Sequence, residues 1–194
     1  MVIIMCGRYF VEIDEDELRD IGEEAERIVK ELTEPIPLKT RGEMFPTNVV
    51  PVQTGRDRYV PMKWGFTSYD KKTVINARSE TALQKPMFKR PMLESRCLIP
   101  ASGYYEWKRD SGNKTKYQFY VPGKPVFFAG CFRQEKGSPL RSFVILTRQA
   151  VNGLEEFHDR MPVIIPRDYM ESWLYESPDA IESAIVELAF KVAA

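Results

Sequence analysis

Apolar residues recur along this chain with two periods, and the switches between them mark the elements. Tyr9, Val11 and Ile13 alternate with their neighbours and predict a short strand over residues 6–13. Leu18, Ile21, Ala25, Ile28 and Leu32 then return at steps of three and four, which predicts an amphipathic helix. Asp14 stands at its N-cap with Glu17 at the capping-box position, and the helix ends before Pro35. Residues 35–47 read as a Pro-containing loop. Strands follow over 48–53 and 59–65, joined by a turn at Thr54-Gly55-Arg56-Asp57, and over 73–75. A short helix over 79–83 comes next. Further strands are predicted over 97–99, 103–108, 116–121, 126–132, 141–146 and 161–165, with Ser111-Gly112-Asn113 as a hairpin tip. Two helices close the chain, over 169–175 and 179–192, the second presenting Ile181, Ile185, Leu188 and Val192 on one face. Most links are short, which favours antiparallel pairing. The pattern predicts a single α+β domain, with a predominantly antiparallel sheet curled into a barrel-like core and flanked by helices.

Composition narrows the class. A chain of 194 residues is long enough to bury a proper core in one domain. Cys6, Cys97 and Cys131 are too few and too scattered for a disulfide framework or a cysteine-pair metal site, and their free state suits a reducing, cytoplasmic compartment. No apolar run approaches a membrane span. Net charge is zero, but it is unevenly laid out. Residues 12–34 hold 11 acids and 3 bases, a balance of −8, and residues 35–118 hold 16 bases and 7 acids, a balance of +9. The acidic block reads as one solvated helix. The basic block offers a local surface for phosphates in spite of overall neutrality.

Five features could carry chemistry. Cys6 follows Met5, and initiator methionines are trimmed when the next side chain is small. A terminal Cys6 would join a free α-amine, pKa about 8, to a thiol, pKa about 8.5. Such a 1,2-aminothiol condenses with an aldehyde through an imine and then a thiazolidine. Glu106 lies in Gly103-Tyr104-Tyr105-Glu106-Trp107, where strand alternation puts it on the face of Tyr104 and away from Tyr105 and Trp107. A carboxyl buried there favours its protonated form and suits a general acid, while a rim glutamate in a salt bridge is the structural alternative. His158, in His158-Asp159-Arg160-Met161-Pro162, is the only histidine, and its neighbour Asp159 is expected to point away. Asn76 and Arg78 share one side of an extended segment and could orient a nucleophile and grip a phosphate. Trp64 and Trp107 are flat surfaces on which bases could stack, with core packing the alternative for either. No Walker loop, dinucleotide fingerprint or zinc motif is present.

Seven segments, in order along the chain, resemble the SOS-response-associated peptidase family, whose members crosslink to abasic sites in single-stranded DNA. They are Cys6-Gly7-Arg8-Tyr9, Asn48-Val49-Val50-Pro51, Trp64-Gly65-Phe66, Asn76-Ala77-Arg78-Ser79-Glu80-Thr81, the run from Arg96 to Trp107, Phe128-Ala129-Gly130, and the run from His158 to Ile164. The resemblance implies a thiazolidine between terminal Cys6 and the ring-opened deoxyribose aldehyde. It implies that Asn76 holds the amino terminus, Glu106 acts as general acid–base, and His158 assists proton transfer at the imine. It implies that Arg8 and Arg78 grip flanking phosphates, that Trp64 and Trp107 shape the DNA face, and that Asn48 lines the pocket. The stretch after Phe66 lacks a second tryptophan common in the family, with Tyr69 nearby. The family's label implies an alternative, a cysteine peptidase that cleaves its own Met5–Cys6 bond. A non-covalent single-strand binding module is a third reading. The expected partner is single-stranded DNA with abasic sites, bound by a monomer without metal, cofactor or membrane, once residues 1–5 are absent.

Overall fold

The computed structural model describes residues 7–12, 16–31, 35–110, 113–178 and 186–193. Its strands are β1 (Tyr9–Val11), β2 (Gly42–Met44), β3 (Val49–Gly55), β4 (Arg58–Trp64), β5 (Phe66–Thr67), β6 (Thr73–Val74), β7 (Asn76–Arg78), β8 (Arg96–Ala101), β9 (Gly103–Asp110), β10 (Asn113–Tyr120), β11 (Val126–Gln134), β12 (Arg141–Gln149), β13 (Arg160–Pro162) and β14 (Ala189–Val192). Its helices are α1 (Asp16–Lys30), α2 (Ser79–Ala82), α3 (Pro86–Glu94) and α4 (Met170–Tyr175).

Five strands close on themselves. β11 pairs β8, β8 pairs β3, β3 pairs β4, β4 pairs β12, and β12 returns to β11. The expected barrel-like core is this ring. Most pairings are antiparallel, but β12 runs parallel to both β4 and β7. A second antiparallel sheet, ordered β14-β10-β9-β1-β2, supplies the flank that matters for function. Ring contacts join the two sheets: Tyr9 of β1 lies 5.3 Å from Trp64 of β4 and 5.8 Å from Phe128 of β11. β8 is buried from Arg96 through Ala101 and β12 from Ser142 through Thr147. These two strands therefore read as continuous apolar runs instead of alternating ones.

The helices pack where the pattern puts apolar residues. α1 buries Leu18, Ile21 and Ala25 against β3 and β4, with Asp16 and Glu17 in its first turn and Arg27 and Lys30 in its last, which suits the helix dipole. Its expected N-cap Asp14 and the apolar Leu32 lie outside the described residues. α3 was not expected, and it carries Pro86 and Pro91. Pro86 in fact starts the helix, where its missing N–H costs nothing. Arg96, 8% exposed, donates from Nη1 to the Met92 carbonyl at the end of α3 and from Nε to the Trp173 carbonyl of α4.

Two expectations need correction, and a third falls outside the described residues. The loop over 35–47 contains β2, which pairs with β1. Strand and link residues at the Ser111-Gly112 tip lie outside the described residues, although β9 and β10 pair up to Asp110 opposite Asn113. The helix expected over 179–192 is not helical at its end: Ala189–Val192 form β14 on the edge of β10. Residues 179–185 lie outside the described residues. The apolar spacing of Leu188 and Val192 fits a helix face, but the open edge of β10 and its aromatic side chains decide the conformation. Phe190 packs its ring 5.8 Å from Phe119 and 4.9 Å from Phe157.

Two glycines are required by close approach. Gly65 turns the chain out of the barrel at φ 118, and a Cβ there would lie 2.4 Å from Thr73 Cγ2. A Cβ at Gly103 would lie 2.1 Å from the Phe119 carbonyl oxygen. Gly103→Ala is therefore expected to lower the stability by about 3 kcal/mol, because backbone must move to admit the methyl. Urea unfolding measures this, and an unchanged midpoint would show that the β9–β10 pairing is looser than described.

Candidate active site and nucleic-acid interface

The site is built from the register of β1 on β9. Tyr9 faces Tyr104, and the Tyr105 N–H donates to the Arg8 carbonyl at 3.0 Å. The chain just before β1 therefore runs beside Glu106, and Gly7 is its first described residue. Cys6 itself lies outside the described residues. Cys97 and Cys131 are buried free thiols. Burial pushes both thiols up, Cys131 to about 12, so neither is an available nucleophile.

Glu106 is 5% exposed, which places it inside and removes the rim reading. Alternation along β9 is as expected: Tyr104 and Glu106 face inward, and Tyr105 and Trp107 face outward. Tyr117 of β10 stands directly opposite Glu106. The Phe157 ring packs 4.8 Å from Tyr117 and 5.1 Å from Phe119. Lys108 reaches over Phe157 and bonds Glu156 at 3.3 Å. These contacts seat the loop that carries His158 against the inward face of β9, the face of Glu106.

His158 is held more firmly than its neighbours suggest. Its N–H donates to the Leu154 carbonyl, and its Nδ1 accepts the Arg160 N–H at 3.0 Å. Asp159, expected to point away, instead brings Oδ1 to 2.7 Å from Nδ1. The tight turn before β13 folds adjacent side chains together, which strand alternation does not anticipate. An imidazolium would find its counter-ion there.

Asn76 and Arg78 lie on β7, opposite Ile145 and Thr147 of β12. Asn76 is half-buried and Arg78 exposed. A residue without an assigned role ties this segment to His158. Glu80, in the first turn of α2, makes a two-pronged pair with Arg160 at 2.6 and 2.8 Å, and Arg160 also donates to the Thr147 carbonyl at 2.6 Å. One ion pair thus joins the Asn76 segment to the strand that fixes the His158 ring. Nothing in the sequence signals it, since the partners stand 80 residues apart.

The DNA-face residues divide. Arg8 is half-buried, with its guanidinium 5.1 Å from the Trp107 ring and 4.6 Å from Phe45. Both Arg8 and Trp107 lie on the outward face of the sheet, opposite to Glu106. Trp64 is 0% exposed, its Nε1 donating to the Ile75 carbonyl at 3.0 Å, so it packs the core and offers no plane to a base. Asn48 caps a turn: its Oδ1 accepts the Phe45 N–H at 3.0 Å and its carbonyl accepts the Trp64 N–H. It supports Phe45, and its side-chain oxygen is already engaged. Among the described residues no cluster of three acidic, cysteine or histidine side chains could hold a metal. No described helix is long and apolar enough to cross a membrane.

Several solved structures share this fold. One from Bordetella bronchiseptica superposes with a TM-score of 0.76 at 22% identity, covering 97% of this chain and 100% of that one. One from Bacteroides thetaiotaomicron gives 0.72 at 22% identity over 91% of this chain and 88% of that one. The chain belongs to the SOS response associated peptidase (SRAP) family, whose model matches residues 5–192. It is 35% identical over 169 residues to the abasic site processing protein YoaM of Bacillus subtilis, covering 75% of this chain and 74% of YoaM. It is 32% identical over 189 residues to the abasic site processing protein YedK of Escherichia coli, covering 93% of this chain and 84% of YedK.

The Arg160 hydrogen bonds hold the Glu80 carboxyl below the usual carboxylate range. A depressed carboxyl stabilises the fold above its unfolded pKa and loses that contribution as pH falls through the folded value. Glu80 is half exposed, so Glu80→Gln is expected to cost only about 1–2 kcal/mol at pH 7 in urea unfolding. The difference from wild type should shrink below about pH 4. A difference that does not change with pH would contradict the pairing.

Proposed function

We propose that this protein captures abasic sites in single-stranded DNA as a covalent adduct on Cys6. The observation that carries the reading is the register that runs Gly7 and Arg8 along β9 next to buried Glu106. Relatives named as abasic site processing proteins support it. The open-chain sugar at an abasic site presents an aldehyde. The Cys6 α-amine adds to that carbon and water leaves, giving an imine. The thiol then adds across the C=N bond, its proton passing to nitrogen, and the five-membered thiazolidine closes. An imine alone would draw electrons from the adjacent carbon and promote strand cleavage by β-elimination. Ring closure removes that electron sink and shields the strand.

Residue roles follow from position. Glu106 donates a proton to the sugar ring oxygen as the ring opens and accepts one as the imine forms. His158 offers a ring N–H to the developing amine or departing water, and Asp159 balances the ring when it is charged. Asn76 holds the amino terminus. Arg8 and Arg78 grip phosphates, and Trp107 gives a stacking plane, contacts that position a lesion without reading sequence. DNA damage is the setting in which such a reaction serves a cell.

The reaction needs Cys6 to be the first residue. While residues 1–5 remain attached, its nitrogen is an amide and no thiazolidine forms. Translation from Met5 followed by aminopeptidase trimming meets this need. The family's description as a peptidase favours a second route, cleavage of the Met5–Cys6 bond by the protein itself. Intact mass distinguishes them: a purified chain that still begins at Met1 and never shortens excludes self-cleavage.

Protein beginning at Cys6, mixed with an oligonucleotide holding one abasic site, should give a band on a denaturing gel that carries both molecules. Cys6→Ala should abolish it, and Glu106→Gln should slow its appearance by about a hundredfold. An undiminished adduct in Cys6→Ala would overturn the proposal.

A further inference from the structure

Glu80 has no part in the reaction as assigned above, yet two of the reacting groups converge on it. It stands in the first turn of α2, four residues after Asn76. Its carboxylate accepts three hydrogen bonds. Oε1 takes them from Arg160 Nη1 at 2.6 Å and from the Gln149 N–H at 3.3 Å, and Oε2 takes one from Arg160 Nη2 at 2.8 Å. Gln149 and Arg160 face each other in the register of β12 and β13. β7 pairs with β12 on the other side. One side chain therefore clamps the ends of three neighbouring strands.

Arg160 depends on this clamp. Its side chain is 9% exposed against 47% for Glu80, and among the described residues Glu80 is the acid within ion-pair reach of it. The guanidinium also meets the Thr147 carbonyl at 2.6 Å and hydroxyl at 3.5 Å, and both are neutral. A buried guanidinium stripped of its counter-charge is driven towards water, and it gets there by drawing its backbone along. That backbone is what steadies His158. The Arg160 N–H donates to His158 Nδ1 at 3.0 Å, and the peptide before it is held by the Ala150 N–H on the Asp159 carbonyl at 3.0 Å.

We propose that Glu80 is a positioning residue: through Arg160 it fixes the His158 ring for proton transfer and takes no part in the chemistry itself. Its effect on adduct formation rests on the abasic-site reading, whereas its hold on the ring does not. Two features set this pair apart from one that only stabilises the fold. Arg160 presents its side chain to Glu80 and its main chain to His158, so one residue joins the ion pair to the ring. The two-pronged geometry fixes orientation as well as distance.

His158 is the only histidine, so its ring gives a single set of imidazole signals in an NMR spectrum. Glu80→Gln keeps the shape of the side chain and removes its charge. In DNA-free protein this variant is expected to move or split the imidazole signals while the amide signals of β9 and β10 stay in place. With saturating abasic oligonucleotide the adduct should form about tenfold more slowly, with the half-saturating DNA concentration unchanged. In a His158→Ala background the same substitution should cost less than about twofold, because its route to the reaction is gone. Should Glu80→Gln fold poorly, Glu80→Asp carries the same expectations, since it keeps the charge but falls one methylene short of Arg160. Unmoved imidazole signals would overturn the proposal, as would a wild-type rate or a tenfold loss that persists undiminished in His158→Ala. A loss that appears as a raised half-saturating concentration would overturn it too, by making Glu80 part of the grip on DNA. If the wild-type protein forms no adduct, the abasic-site reading falls and the imidazole signals alone decide the positioning role.

Discussion

A single backbone hydrogen bond, Tyr105 N–H to the Arg8 carbonyl, sets what the rest of the molecule can do. It fixes the register of β1 on β9, and in a strand a slip of one residue exchanges the two faces. With this register Tyr9 and Tyr104 enter the core together, Gly7 runs beside Glu106, and Arg8 lies outward with Trp107. Every functional assignment depends on that division into a wet outer face and a buried inner one. The barrel beneath makes it rigid, since Tyr9 is clamped against Trp64 and Phe128.

The same division separates chemistry from grip. The inward face holds the buried carboxyl and, through Phe157 on Tyr117 and Phe119, the histidine loop. The outward face holds Arg8 beside the Trp107 and Phe45 rings. A reaction that needs a sheltered proton donor and a partner that carries a charged, solvated backbone can thus be served by one three-residue strand and its neighbour. The Glu80–Arg160 pair makes the third connection, because it binds the Asn76 segment and the His158 turn to the same carbonyl of β12.

Much of this was legible in the sequence, for a physical reason. The alternation over residues 103–108 set Glu106 on the face of Tyr104 and away from Trp107, because the period of a strand depends only on backbone geometry, and the fold then buried that face. The barrel followed from many short apolar segments with short links. What stayed hidden was long-range pairing. Glu80 and Arg160, or Glu43 with Arg8 and Lys116, meet only through the fold, and no local pattern encodes them. Local patterns also misled where tertiary contacts outweigh them. Leu188 and Val192 have helical spacing, yet Ala189–Val192 complete a sheet. Trp64 was offered as a stacking plane with core packing as its alternative, and burial against Tyr9 and Phe143 decides for the core. Asp159 was misjudged because the alternation rule does not hold in a turn.

The central claim is that the α-nitrogen and sulfur of Cys6 both bond to the sugar carbon. Tandem mass spectrometry of the adduct, after nuclease and protease digestion, tests it most directly. The account predicts that the sugar remnant lies on a peptide whose first residue is Cys6, with one water lost and the thiol resistant to alkylation. A remnant on a lysine, or on a peptide in which residues upstream of Cys6 are still attached, would contradict it.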